Sequence, residues 1–317
     1  MKVKSTDFKS FCDEFLSQVK TNKDVKPNSL CSLACAEFGI GTVAFCKRFK
    51  SYYGMTVSEK VNTILQPTRN ELVKAIILSE CVGDLWETLN LSQSRRVGLF
   101  DKHFGVSTFE RARAICLMET FEVKYNPTID ENKSLVVSQI LGDGHYCSDR
   151  QALTISHGIR QSDYVYYKAA LFNKAFPHTN PAGSVKTFKH KQGHEYVTWY
   201  SRKLPTKITE WVKNATKDEL VKALTPFGMC LYFMDDGYLN FDLSGRGNNY
   251  VQMYVQDGLV LSSLVEELKT YGISTTVSNN YLKIGTMDSA VMFYKCFIEP
   301  FKDNLPDCLR YKTEMKI

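Results

Sequence analysis

The chain has 317 residues, 44% hydrophobic and 23% charged, with a formal net charge of +6. That is too long for one typical core and suits two or three folded domains rather than a disordered or fibrous chain. The basic excess is compatible with a polyanionic partner. No apolar run reaches the ~20 residues that span a bilayer, and the start, Met-Lys-Val-Lys-Ser-Thr-Asp, lacks the apolar centre of a secretory leader, so an intracellular protein without a membrane role is expected.

Residues 1–125 are expected to be all α. Phe8, Phe11, Phe15, Leu16 and Val19 have helical apolar spacing. An internal repeat follows at a constant offset of 51 residues. Phe38-Gly39-Ile40 recurs as Leu89-Asn90-Leu91, Phe49 as Phe100, Tyr53-Gly54-Met55-Thr56 as Phe104-Gly105-Val106-Ser107, and Glu59-Lys60 as Glu110-Arg111. Each copy reads as helix, short turn, second helix, the pattern of a helix-turn-helix that sets its second helix in a major groove. The groove-facing candidates are Gly41, Thr42, Phe45, Lys47 and Arg48 in the first copy. In the second they are Ser92, Gln93, Ser94, Arg95 and Arg96. Arg and Gln suit base edges and Lys and Ser suit phosphates, which makes the second copy the better reader by composition. The bland alternative is a helical protein-interaction module. The stretch Arg48–Thr56 resembles the arabinose-regulator (AraC) type, which carries two such units in tandem.

Residues 126–132, with Pro127 among polar neighbours, are the expected linker. Two similar stretches lie beyond it. Leu135-Val-Val-Ser-Gln-Ile-Leu-Gly-Asp-Gly144 and Leu224-Thr-Pro-Phe-Gly-Met-Cys-Leu-Tyr-Phe-Met-Asp-Asp-Gly237 are apolar helices that end in acid-glycine. Thr225 can cap the second helix, with Pro226 at its first position. Acids at a helix C-terminus oppose the helix dipole unless a cation compensates. Two such helices packed side by side would bring Asp143 and Asp236 together, and a divalent, oxygen-ligated ion, Mg²⁺ or Mn²⁺, would let both stay ionised.

Each helix is followed by the same order of elements. In the first half the predicted strands are 151–157, 185–190 and 194–200, with helices at 162–176 and 208–214. In the second half the strands are 238–242, 250–255, 275–278 and 281–285, with helices at 259–271 and 289–301. The second half therefore reads α-β-β-α-β-β-α, and the first, with three strands named, is expected to follow the same order, with sheets that keep one face on helices and one free. The free face is expected to carry Thr154, Ser156, Lys186, Thr187, Lys189, Gln252 and Lys283 toward DNA. Ten cysteines without a Cys-x-x-Cys pair read as free thiols of a reducing compartment. His190 and His194, either side of Gly193, read as an exposed or DNA-facing turn rather than a zinc pair.

Val136–Gly144 and Met229–Gly237 resemble the paired nine-residue motifs of the LAGLIDADG homing endonucleases, with Ser138 and Leu231 where the motif has its inner glycine. The ending Tyr-Phe-Met-Asp-Asp-Gly is similar to the branch containing the yeast mitochondrial omega-intron endonuclease. The resemblance implies an α+β fold of two pseudo-symmetric halves with saddle-shaped antiparallel sheets, at 133–216 and 217–317. It also implies a monomer that cuts a long site in double-stranded DNA by metal-dependent hydrolysis across the minor groove, leaving 3′ overhangs. By the same resemblance Asp143, Asp236 and the carbonyls of Gly142 and Asp235 hold the metal, while Lys203 and Lys283, at matching points of the halves, and Gln256, with Ser156 as its counterpart, support catalysis. Close helix packing is expected to use Ser138, Gly142, Gly228 and Cys230. The rival readings are a nuclease-dead DNA-binding regulator and an intron RNA maturase. Both acids being present speaks against the first, and two DNA-type readers speak against the second.

Overall fold

The computed structural model describes residues 5–21, 27–91, 93–120, 123–126, 128–177, 183–189, 193–240 and 250–314. By internal contacts the chain divides into two compact units, Met1–Leu99 and Phe100–Ile317.

The first unit is helical: α1 (Ser5–Thr21), α2 (Pro27–Phe38), α3 (Thr42–Tyr53), α4 (Val57–Leu65), α5 (Arg69–Leu78), α6 (Val82–Leu89) and α7 (Gln93–Arg96). Phe8, Phe15, Leu16, Val19, Leu30, Ala34, Phe45, Phe49, Val61 and Leu65 form its core. The helical spacing read at Phe8–Val19 is the inner face of α1. Helix α2 gives way to α3 through Gly39, whose φ of +58° favours glycine. The two helices turn by 104° across this break, an angle typical of helix-turn-helix pairs. Thr56–Glu59 and Thr68–Glu71 make reciprocal capping boxes that start α4 and α5.

The 51-residue repeat has a backbone echo. Asn90, the counterpart of Gly39, is also left-handed at φ +47°, and Gly54 and Gly105 match at +69° and +66°. The copies differ in the second helix. Helix α3 is continuous, whereas Gly98, at φ +70°, divides its counterpart into α7 and α8 (Leu99–Phe104).

The second unit takes in more chain than the sequence suggested. Helix α9 (Phe109–Glu119) buries Phe109, Ala112 and Ala114–Met118, and packs on elements of the first α/β half. The half itself runs α10 (Ile129–Leu141), β1 (Gly144–Cys147), β2 (Ala152–Gly158), α11 (Ser162–Ala175), β3 (Ser184–Lys189), β4 (Glu195–Tyr200) and α12 (Thr206–Asn214). The contacts of α9 are with β3 and α11.

Short α13 (Lys217–Lys222) leads into α14 (Pro226–Asp236), β5 (Gly237–Asn240), β6 (Tyr250–Tyr254), α15 (Gly258–Thr270), β7 (Thr276–Ser278), β8 (Tyr281–Ile284), α16 (Met287–Phe293) with a π-helical extension to Ile298, and α17 (Arg310–Thr313). The sheets are antiparallel with the same order, β1-β2-β4-β3 and β5-β6-β8-β7. The fold is therefore α+β, two like halves preceded by an all-helical region. Leu153, Ile155, Val197, Trp199, Val251, Met253, Leu282 and Ile284 supply the buried faces of the sheets.

Candidate active site at the paired helix ends

Helices α10 and α14 pack directly on each other. At their N-terminal ends Thr225 caps Gly228 N–H. Ser134 Oγ accepts from Thr225 N–H at 2.8 Å, and Thr225 Oγ1 donates to Glu131 Oε2 at 2.9 Å. A Cβ on Gly228 would collide with Ser134 Oγ, and one on Gly142 with the Asp235 carboxylate, so small residues set the interhelical distance at both ends. Ser138 and Cys230 are buried. The four small residues expected to allow close approach thus lie within the packed pair, with Gly142 and Gly228 at the tightest points.

This packing delivers Asp143 and Asp236 to one end of the pair. Burial, and after it the charge of Asp235, raises the Asp143 carboxyl above its usual range. Burial, then Asp143, then Asp235, pushes Asp236 up to about 7. A carboxyl raised by its carboxylate neighbours fits a hard divalent cation, which would stabilise the ionised forms. Asp143 keeps a side chain 41% exposed, so it can reach a ligand from solvent.

Asp235 behaves differently from its neighbour. Its side chain is fully buried and turned into the first half. Oδ1 accepts from Lys168 Nζ at 2.5 Å, and Oδ2 accepts from Asp143 N–H at 3.3 Å. Lys168 Nζ also lies 3.1 Å from His157 Nε2, and His157 Nδ1 lies 3.5 Å from Asp143 Oδ2. Asp143, His157 and Asp235 could group around a metal, but Lys168 Nζ already lies between Asp235 and His157. Burial draws Lys168 below the ordinary lysine value, with Asp235 pulling the other way; burial, then Lys168, holds His157 down to about 3.

Lys312 is the second buried cation. Its ammonium donates to the carbonyls of Met234 at 2.6 Å and Asp235 at 3.0 Å, neutralising the last turn of α14. The Asp235 carbonyl expected to hold a metal is thus already accepting from an ammonium.

The supporting lysines named from sequence are not at matching points. Counting from the residues paired with the two motif glycines, Ile155 and Met253, Trp199 corresponds to Leu282 and Tyr200 to Lys283. Lys203 instead lines a small crevice with Phe172, Phe176 and Trp199, and Lys283 lies over the Tyr250 ring at 4.8 Å. The cations whose charge reaches both Asp143 and Asp236 are Lys168 and Lys312. The same register matches Ser156 with Tyr254 rather than with Gln256, whose counterpart is Gly158. Gln256 itself is exposed and shares a cleft of about 470 Å³ with Gly142, Gly144, Tyr232 and Lys217.

The strand residues divide by register. Lys186 pairs with Thr198, and Ser156 Oγ lies 2.8 Å from Thr198 Oγ1, so Thr154, Ser156 and Lys186 share the face directed away from the helices. Gln252, Lys283 and Thr276 align across the second sheet on its corresponding face. Thr187 and Lys189 alternate onto the opposite face with Val185, and Lys189 pairs with Glu195 at 3.3 Å. They leave the expected set because an odd step along a strand reverses the side chain. Aromatic residues join both open faces: Phe188, Tyr196, Tyr238, Tyr254 and Tyr281 are exposed there.

In the helical unit Thr42 and Lys47 are exposed on α3. Phe45 is buried, and the half-buried Arg48 stacks its guanidinium on Phe8 at 4.5 Å. Gln93 is exposed, while Arg96 donates to the Leu91 carbonyl at 2.8 Å and lies over Trp86. Ser92 and the side chains of Ser94 and Arg95 lie outside the described residues, as do His190, Lys191 and Gln192, while His194 is exposed.

Residues 133–283 match the family described as LAGLIDADG DNA endonuclease. Protein RecA of Mycobacterium shimoidei is similar at 26% identity over 128 residues, which takes in 37% of this chain and 28% of that protein. The chain therefore spans little more than a quarter of that relative. Among solved structures, the homing endonuclease I-WcaI bound to its DNA recognition sequence is similar over 68% of this chain and 98% of its own, at 16% identity and TM-score 0.46. The N-terminal LAGLIDADG domain of DUF199/WhiA is similar over 62% and 96%, at 12% identity and TM-score 0.37. Among the described residues no single helix is long and apolar enough to cross a membrane.

Proposed function

We propose that the chain is a site-specific endonuclease of double-stranded DNA that acts as a monomer and hydrolyses phosphodiesters with Mg²⁺ or Mn²⁺. The observation that carries this reading is the meeting of Asp143 and Asp236 at one end of two packed helices, each flanked by a four-stranded sheet with an open polar and aromatic face. Asp143 and Asp236 would hold the ion, which when bound supplies an activated water and stabilises the leaving oxygen. The chain's own contribution is geometric. Gly142 and Gly228 let the helices approach, and Lys312 offsets charge at the end of α14. Gln256 stands in the cleft beside Gly142, where it can orient water. Thr154, Ser156, Lys186, Gln252 and Lys283 suit phosphates and base edges along the two sheets.

The helical unit supports a DNA-reading arm. The 104° turn from α2 to α3, the continuous α3 and the exposed Thr42 and Lys47 favour the first repeat as the groove-entering copy, in place of the second. Cleavage of a randomised duplex library with Mg²⁺, followed by sequencing of the ends, tests the reading. A recurrent site with 3′ overhangs is expected. Binding without any cut would favour a nuclease-dead regulator.

A further inference from the structure

The two halves share topology, yet their interiors differ beside the motif acids. His157 of β2 corresponds by register to Val255. The seventh residue of α11 is Lys168 and the seventh of α15 is Leu264, and both are fully buried. One half thus carries a charged chain where the other carries hydrocarbon. The chain has a direction. Lys168 Nζ donates to Asp235 and to His157 Nε2. An Nε2 that accepts leaves the ring proton on Nδ1, and Nδ1 faces Asp143 Oδ2 at 3.5 Å, the outer edge of hydrogen-bond reach. Asp235 Oδ2 meanwhile accepts from Asp143 N–H, so one buried carboxylate braces both the backbone of Asp143 and the relay to its side chain.

We propose that Lys168 and His157 are positioning residues for Asp143, the motif carboxylate that the relay contacts through its side chain, so that the two motif carboxylates are held unequally and the first depends on a relay that the second lacks. An outer partner that fixes a ligand's orientation commonly matters about 10- to 100-fold in metal affinity. The consequence for cutting rests on the endonuclease reading: the two strands of a duplex would respond unequally to loss of the relay.

The test uses the full chain with Mn²⁺ as the probe, followed by calorimetry. His157→Val, which installs the residue of the other half, is expected to weaken one Mn²⁺ site about tenfold, and His157→Gln, which keeps a donor, to restore most of it. On an end-labelled duplex His157→Val should change the ratio of the two strand-cutting rates about tenfold, while His157→Gln leaves the ratio near that of the natural chain. Unchanged Mn²⁺ binding in His157→Val, or an equal loss in His157→Gln, overturns the proposal. So does equal slowing of both strands. A chain that cuts no duplex yet shows the Mn²⁺ pattern upholds the relay and removes the endonuclease reading instead.

Discussion

Lys168 Nζ lies 2.5 Å from Asp235 Oδ1, with neither side chain exposed. A buried pair of this kind gains little over hydrocarbon when intact, but removing one partner strands the other charge. Lys168→Met is therefore expected to destabilise the second unit by ~3–5 kcal/mol in urea unfolding. Adding Asp235→Asn should recover much of that loss, because no unpaired carboxylate remains. Equal stability of Lys168→Met and the natural chain would contradict the ion pair.

Stability in the absence of metal should depend on Asp236. Its carboxyl is pushed from 3.8 up to about 7, so between these values the folded state holds a proton that the unfolded state has lost. Its contribution is full below about 3.8 and falls as pH rises to about 7. His157, lowered from 6.5 to about 3, acts with the opposite sign: unfolding takes up a proton, so stability rises over that range. The two slopes oppose each other, and the informative measurement is a difference. Thermal unfolding of Asp236→Asn against the natural chain from pH 4 to 7 should show the variant gaining relative stability as pH rises. Saturating Mg²⁺ should reduce that gain.

Lys312, which holds the carbonyls of Met234 and Asp235, should matter more to cutting than either lysine named from sequence. Lys312→Met is expected to slow cleavage by roughly 10²–10³, the scale of losing one placed electrostatic stabiliser. Lys203→Met, in the crevice beside Trp199, should cost far less. Single-turnover rates on one duplex decide between them.

Residues 100–317 should fold without the helical unit, whereas a fragment beginning at Asn126 should bind a hydrophobic dye. The difference is α9, which packs on β3 and α11. Relative to the full chain, the longer fragment should protect a footprint shorter by about one helical turn, ~10 bp, for each groove-reading unit lost. Identical footprints would show that residues 1–99 do not touch DNA.

Much of this was legible in sequence because it is periodic or punctuated. The two apolar runs ending at Asp143-Gly144 and Asp236-Gly237 marked the pair of packed helices, and alternation located most strands. The 51-residue offset located two left-handed turns, at Gly39 and Asn90. What escaped depends on packing between distant elements. Lys168 carries a signal, a lone lysine inside the apolar run Tyr164–Phe172, but only the fold sets it against Asp235 from another half. Lys203 and Lys283 were matched by order along the chain, and strand register alone separates them. Lys189 was misplaced by one odd step. Arg48 and Arg96 have the composition of DNA readers, yet each lies against an aromatic ring of its own unit.

Under the proposed function Asp143 and Asp236 together hold the ion that cuts DNA. The most direct measurement compares cleavage and binding of one selected duplex by the natural chain, Asp143→Asn and Asp236→Asn in Mg²⁺. Each substitution removes a ligand charge with little change of volume, so each alone should abolish double-strand cleavage while leaving affinity for the duplex within a few-fold. Double-strand cleavage at the full rate by either variant would contradict the account.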